Sequence, residues 1–149
     1  MNPGDEPEGG RLGGNSEQVP QQDPAPNPAP QERVNGKFDL TERTARFGEA
    51  IINFAKALPV TQVTRNMITQ LVDASTSVGA NYNEADEGVS KKDFRNKIGI
   101  CKKEARESKH WLRMMATAVP EKKAEARPLW QEAKELHLIF SKIFRSSGS

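Results

Sequence analysis

The stretch 90–119 constrains the fold most, because its apolar residues recur every three or four positions over about eight turns. Ser90 suits an N-cap, and Pro120 marks the far end because proline cannot continue a helix. The pattern therefore predicts one helix of about 28 residues, roughly 40 Å long. Its predicted buried face consists of Phe94, Ile98, Cys101, Ala105, Ser108, Leu112 and Met115.

A second stripe runs along the same predicted helix, rotated by roughly 110° from the buried face. It is basic at every position except Gly99, and its members are Lys92, Arg95, Lys102, Arg106, Lys109 and Arg113. A third face carries Ile100, Trp111 and Met114, which is more apolar surface than one bundle core requires. One helix thus offers a core face, a cationic stripe and a candidate contact for another subunit.

Three further helical patterns surround this one. The first covers residues 40–58 and ends at Pro59; the second covers residues 67–85, with Thr61 or Thr64 as its cap and Gly88 as its stop. The last begins near residues 124–128 and continues to about residue 146, with Trp130, His137 and Phe144 forming an extra stripe beside its core positions. Short connections favour antiparallel neighbours, so we expect an all-α, up-down four-helix bundle over residues 37–146.

The first 36 residues differ sharply from this body. They contain seven of the ten prolines and six of the eleven glycines, and almost no large apolar residues. Such a composition predicts a disordered N-terminal tail. The tail has two basic and six acidic residues, a net charge of −4, so the overall charge of +2 conceals a body of +6. A basic body can attract nucleic acid, an anionic membrane surface or an acidic protein.

The segment 75–85 of the second helix combines small and polar residues. Ser75 and Gly79 would let another helix approach closely, which can offset the cost of about 1 kcal/mol for a glycine in a helix. A polar flank lies beside them, and we interpret it as a hydrogen-bonded contact between helices or protomers. The candidate contact residues are Gln70, Ser77, Asn81 and Glu84, together with Ile100 and Trp111.

Residues that carry chemistry are sparse. Cys101 is the single cysteine and falls on a predicted core face, so we expect neither a disulfide within the chain nor a nucleophile. His110 follows Glu107 as Glu-x-x-His, but His137 has Lys134 in the matching position, so a di-metal site lacks its second half. We therefore expect no enzyme activity, cofactor or metal, and a cytoplasmic protein without a membrane span.

Three separated motifs carry a resemblance to a known family: FDLTERTARFGEAIINFAKALP (38–59), STSVGANYNEA (75–85) and KKDFRNKIGICKKEARESKHWLRMM (91–115). In this order they resemble the small four-helix proteins encoded in intervening sequences of bacterial large-subunit ribosomal RNA genes. That family includes the accessory variability proteins of diversity-generating retroelements. The resemblance implies a four-helix protomer that assembles as a homopentamer. For the retroelement members it also implies a basic surface that binds nucleic acid and a partner reverse transcriptase.

The basic stripe then predicts a nucleic-acid-binding accessory protein, with its six cations contacting the phosphates of RNA or DNA. The alternative is a homo-oligomeric scaffold that binds a protein partner without touching nucleic acid. Aromatic residues do not interleave with the basic ones along the sequence, so base stacking has little support at this stage. We also expect charge reversal at Arg95, Lys102 and Arg106 to leave the bundle folded.

Overall fold

The computed structural model of the chain describes residues 39–87 and 90–148. They form four α-helices: α1 (Leu40–Lys56), α2 (Thr64–Asp86), α3 (Lys91–Ala118) and α4 (Lys123–Ser146), with a 3₁₀ turn at Pro120–Lys122 before α4. The all-α prediction is confirmed. The predicted disordered tail and the stop at Gly88 lie outside the described residues.

The helix ends follow from local hydrogen bonds. The Ser90 hydroxyl accepts the Asp93 backbone N–H at 3.0 Å, and α3 runs for 28 residues to the position before Val119 and Pro120, as predicted. Asp39 caps α1 by accepting the Glu42 N–H at 3.2 Å. At the start of α2, the Thr61 hydroxyl accepts the N–H of Thr64 at 3.1 Å, so the expected capping threonine lies three residues before the first helical residue.

The helices contact one another in chain order. α3 packs extensively against both α2 and α4, α1 packs against α2, and a narrower contact between α1 and α4 closes the ring. Within the described ranges, the diagonal pairs α1–α3 and α2–α4 make no close backbone contact. This is the arrangement of an antiparallel up-down bundle. Its helices include none with an apolar stretch of the length needed to cross a bilayer, as far as the described residues extend.

The predicted apolar stripes meet in one core. Ile51, Leu71, Ile98, Leu136 and Phe140 are fully buried, one or two from each helix. Every residue of the predicted α3 face is buried except Phe94, which is partly exposed near the helix start. Burying each large side chain contributes about 1.5–3 kcal/mol, so this shared core is what brings the four helices together.

α1 and α2 approach each other closely at Gly79. A Cβ atom there would lie 3.2 Å from the Thr44 hydroxyl oxygen and 3.5 Å from the Thr44 carbonyl carbon. Thr44 is buried, and its hydroxyl donates a hydrogen bond of 2.7 Å to the Leu40 carbonyl. Because the nearby atoms belong to the backbone of α1 as well as to the Thr44 side chain, a larger residue at position 79 would push the two helices apart.

We therefore expect Gly79→Leu to lower the free energy of unfolding by about 1–3 kcal/mol, the usual cost of overpacking. Ala80→Leu is the matched control, because Ala80 is exposed on the same helix and should change stability by less than about 0.5 kcal/mol. Denaturant unfolding followed by circular dichroism measures both. Equal stability of the two variants would contradict the close approach.

Candidate nucleic-acid interface

The basic stripe of α3 divides into two rows, each with a period of seven residues. The outer row is Lys92, Arg106 and Arg113, and all three side chains are exposed. The inner row is Arg95, Lys102 and Lys109, and these are partly buried because they face α4. The stripe is therefore not uniformly solvated.

Each residue of the inner row lies beside an aromatic ring of α4. The guanidinium carbon of Arg95 is 3.8 Å from the centroid of the Phe144 ring, and the ammonium nitrogen of Lys109 is 5.6 Å from that of Trp130. Between them, His137 Nδ1 lies 3.1 Å from the Lys102 carbonyl oxygen; a carbonyl can only accept, so Nδ1 carries the proton. We call these three pairs the cation–ring seam: Arg95 with Phe144, Lys102 with His137, and Lys109 with Trp130.

The seam is regular because both helices supply its members every seventh residue. In each pair the two residue numbers have the same sum, as antiparallel helices with one constant register require. A basic residue of α3 and an aromatic residue of α4 therefore lie together at three successive levels, through the side-chain cation in the two end pairs and through the backbone carbonyl of Lys102 in the middle pair.

Gly99 explains how the Phe144 ring fits against the stripe. A Cβ atom at Gly99 would lie 3.1 Å from Phe144 Cε1, so the missing side chain leaves the space that the ring occupies. Arg95 and Lys102 flank the glycine along α3, and the Lys102 ammonium nitrogen is 5.2 Å from the same ring centroid. The one gap in the basic stripe is thus the docking position of an aromatic residue.

Arg95 is partly enclosed at the end of the inner row. Its Nε is buried and, among the described residues, has no hydrogen-bond partner, while Gly148 at the end of α4 lies against its guanidinium. Reversing this charge would replace a favourable cation–ring contact with a carboxylate against the ring face. Of Arg95, Lys102 and Arg106, only Arg106 is exposed, so we expect charge reversal at Arg106 to leave the bundle folded and reversal at Arg95 to weaken the contact between α3 and α4.

Acidic residues of α3 lie on the flank that faces α2. Burial raises the pKa of Glu104, and the nearby negative charges of Glu107 and of Asp73 on α2 raise it further. Lys97 on this flank forms an ion pair with Glu84 of α2, with 2.6 Å between Nζ and Oε1. The acids of α3 are therefore held away from the cation–ring seam.

The acids of α4 are separated from the seam in the same way. Arg43 of α1 forms ion pairs with Glu132 at 2.7 Å and with Glu135 at 3.0 Å. Hydrogen bonding to Glu132 raises the pKa of Arg43 above its usual range. Lys134, in contrast, approaches the Trp130 ring to 5.7 Å. Basic side chains thus lie along the surface shared by α3 and α4, whereas these carboxylates lie on the flank of α3 that faces α2 and on the flank of α4 that faces α1.

The candidate contact residues lie along the opposite groove, between α2 and α3. Two buried contacts fix the register there: Ser75 Oγ donates to Ser108 Oγ at 2.9 Å, and Cys101 Sγ to the Val78 carbonyl at 3.5 Å. The flank residues follow this register; Asn81 donates to the Ser77 carbonyl of its own helix at 2.8 Å. Gln70 and Glu84 are exposed, whereas Ser77, Asn81, Ile100 and Trp111 are partly buried.

Cys101 is enclosed in the core, as its position in the stripe predicts. It is fully buried, and burial raises the pKa of its thiol to about 12. A thiol held neutral in this way is a poor nucleophile. In the part of the chain that the structure describes, histidine, cysteine and carboxylate side chains form no group of three or more that could hold a metal ion.

Comparison with known proteins identifies the family of the chain. Residues 36–142 match the family of 23S rRNA-intervening sequence proteins. The chain belongs to this family. The matched region contains all of α1, α2 and α3 and most of α4, and it spans the six positions of the basic stripe. No curated protein is significantly similar to the chain.

A solved structure supports the same assignment. The chain is similar to a protein of unknown function from the S23 ribosomal protein family of Bacteroides thetaiotaomicron VPI-5482, with 28% sequence identity and a TM-score of 0.64. The similarity covers 70% of this chain and 97% of the Bacteroides chain. Nearly the whole of that protein therefore aligns with this chain.

The sequence alone does not show where the aromatic stripe of α4 lies. The spacing of Trp130, His137 and Phe144 predicts only surplus apolar surface, with no aromatic rings near the cations. The structure brings these rings from α4 into the basic stripe of α3. The signal was present as equal seven-residue spacing in two separate helices, but only the register between the helices shows that the two sets meet.

The state of Cys101 gives a test of the core. At about pH 8 a thiol with a pKa near 12 is ionised in roughly one molecule in ten thousand, so a disulfide reagent should label it only after unfolding.

The raised pKa also predicts a pH effect: above about pH 9 the unfolded chain releases this proton and the folded chain does not. Stability should then fall by up to about 1.4 kcal/mol per pH unit until about pH 12.

Cys101→Ala is the control, because it removes the titrating thiol and should show a shallower decline in denaturant-derived stability over the same pH range. Rapid labelling of the folded wild type, or identical profiles for the two proteins, would contradict a buried neutral thiol.

Proposed function

We propose that this protein is a non-enzymatic, oligomeric accessory protein that binds nucleic acid through the basic surface of α3 and α4. The observation that carries the proposal is the separation of charge across both helices. Six cations of α3 and Lys134 of α4 lie along one side, while Glu104, Glu107, Glu132 and Glu135 lie on the flanks next to α2 and α1. Phosphates can approach such a surface without meeting carboxylates.

The two rows contribute differently to this interaction. The outer row is exposed and free to contact phosphates, with the two arginines able to bind them bidentately. The inner row is held against the α4 rings and supplies a fixed positive field beside them. Contacts of this kind depend little on base sequence, and affinity should fall steeply between about 50 and 200 mM salt.

The test is charge reversal of the outer row, K92E/R106E/R113E, which spares the packed inner row. Each lost phosphate contact lowers the salt slope, so log affinity against log salt concentration should flatten by about 2–3. Fluorescence anisotropy with a labelled oligonucleotide measures the affinity at several salt concentrations.

The matched control is K56E/R65E/K142E, which changes the net charge equally at exposed positions outside the seam. It should bind almost as well as the wild type. Equal losses in the two triple variants would indicate only a general effect of net charge. If the wild type itself fails to bind at low salt, the surface is simply solvated, and the scaffold for a protein partner replaces this proposal.

The oligomer that we propose is a homopentamer with a protomer contact along the α2–α3 groove. Partly buried Ile100 and Trp111 beside polar Ser77 and Asn81 support a face that another protomer could cover. The family resemblance supports the number five. A ring of five bodies of charge +6 would carry about +30, which strengthens attraction to a polyanion.

Light scattering on a sizing column should accordingly give a mass near five protomers for the wild type. Ile100→Asp should reduce that mass by placing a charge in the contact, whereas Leu138→Asp, at a 56% exposed position on α4, should not. A monomeric wild type at tens of micromolar would refute the assembly, and an unchanged mass for Ile100→Asp would refute its placement in this groove.

Within this proposal the protein partner is a reverse transcriptase, on the strength of the resemblance to retroelement accessory proteins. A reverse transcriptase gene with a template repeat beside this gene would support that partner. A position inside a ribosomal RNA gene would favour nucleic-acid binding without it.

A further inference from the structure

We propose that the cation–ring seam binds single-stranded nucleic acid, with bases stacked on its rings and Trp130 as the principal stacking surface. The inference rests on the proposed function and specifies its substrate class. Proteins that bind single strands combine a charged groove that follows the phosphates with aromatic side chains that stack on bases. Both components occur here on one surface.

The geometry of the rings suits this role. Trp130, His137 and Phe144 stand one above another along α4, about 10 Å apart at a rise of 1.5 Å per residue. All three side chains are partly exposed, and each has a basic residue of α3 next to it. A duplex presents its base edges in the grooves and keeps its base faces stacked internally, so only a strand with unpaired bases can use the rings.

Trp130 is the ring best suited to exchange a cation for a base. The ammonium groups of Lys109 and Lys134 lie 5.6 and 5.7 Å from its centroid, and both end long flexible stems. Such contacts at a partly exposed site are weaker than base stacking. When a base occupies the ring, the two ammonium groups can turn to the phosphates on either side, so stacking and charge neutralisation occur together.

Phe144 lies in a more closed environment, because the planar Arg95 guanidinium covers it at 3.8 Å and Gly99 lies beneath its edge. An arginine plane is itself a surface on which an unpaired base can stack. The seam therefore presents an indole at one end and an arginine–phenylalanine stack at the other, with the hydrogen-bonded imidazole of His137 between them.

The test compares wild type with W130F, which keeps an aromatic ring, and W130L, which keeps an apolar side chain without one. Binding of a labelled oligothymidine of about twelve nucleotides, within the usual site size of such proteins, is measured by anisotropy beside a duplex of equal length. We expect the single strand to bind more tightly to the wild type, W130F to retain most of this affinity, and W130L to lose about tenfold or more. Duplex affinity should be similar in all three proteins.

Tryptophan emission provides a second readout that needs no loss of binding. Trp111 lies on the opposite flank of α3, so oligothymidine should quench the wild type and should quench W130F much less although W130F still binds. Circular dichroism and the thermal midpoint establish that the variants are folded.

The outcomes separate this inference from the function on which it rests. Equal binding of single strand and duplex, with no quenching of Trp130, would overturn the stacking role and leave a purely electrostatic nucleic-acid surface. A W130L variant that loses affinity equally for both forms would make Trp130 a structural residue of the α3–α4 contact, which also overturns it. Absence of any binding by the wild type at about 50 mM salt would remove the proposed function and this inference together.

Discussion

The register between α3 and α4 is the constraint on which the functional surface depends. The Phe144 ring packs over Gly99 because only that position of the stripe lacks a side chain. This contact fixes the register of α4 against α3. Once it is set, His137 must lie at the level of Lys102 and Trp130 at the level of Lys109. A slip of one turn would place the rings between cations and crowd the remaining basic side chains, so core packing and surface chemistry favour the same alignment.

The rest of the bundle keeps α3 in place and separates its charges. Gly79 lets α1 and α2 approach closely, and the Ser75–Ser108 hydrogen bond aligns α2 with α3 in the buried core. Arg43 forms ion pairs with two carboxylates of α4 at the narrow α1–α4 contact. These contacts are outside the candidate interface, yet they determine which side of α3 and α4 is left for the cations and which for the acids.

Most of the fold could be predicted from the sequence because it depends on local periodicity. The buried face of α3, its Ser90 cap and its end before Pro120 all follow from spacing and side-chain chemistry. The division of the basic stripe could not be predicted in this way, since Arg95 and Arg106 look alike in a helical pattern. Only the position of α4 makes Arg95 a packed residue and leaves Arg106 exposed. Contacts between helices therefore decide what the local pattern of a single helix leaves open.

The repeat of seven in the cation–ring seam also has a consequence for the path of the two helices. A straight α-helix has 3.6 residues per turn, so positions seven apart drift by about 20° per repeat around its axis. Over the two repeats from Arg95 to Lys109 the pairs would separate by about 40° unless the helices bend around each other. Keeping every ring beside its partner residue thus favours a left-handed supercoil of α3 and α4, and a strand lying along the seam would follow that gentle left-handed curve.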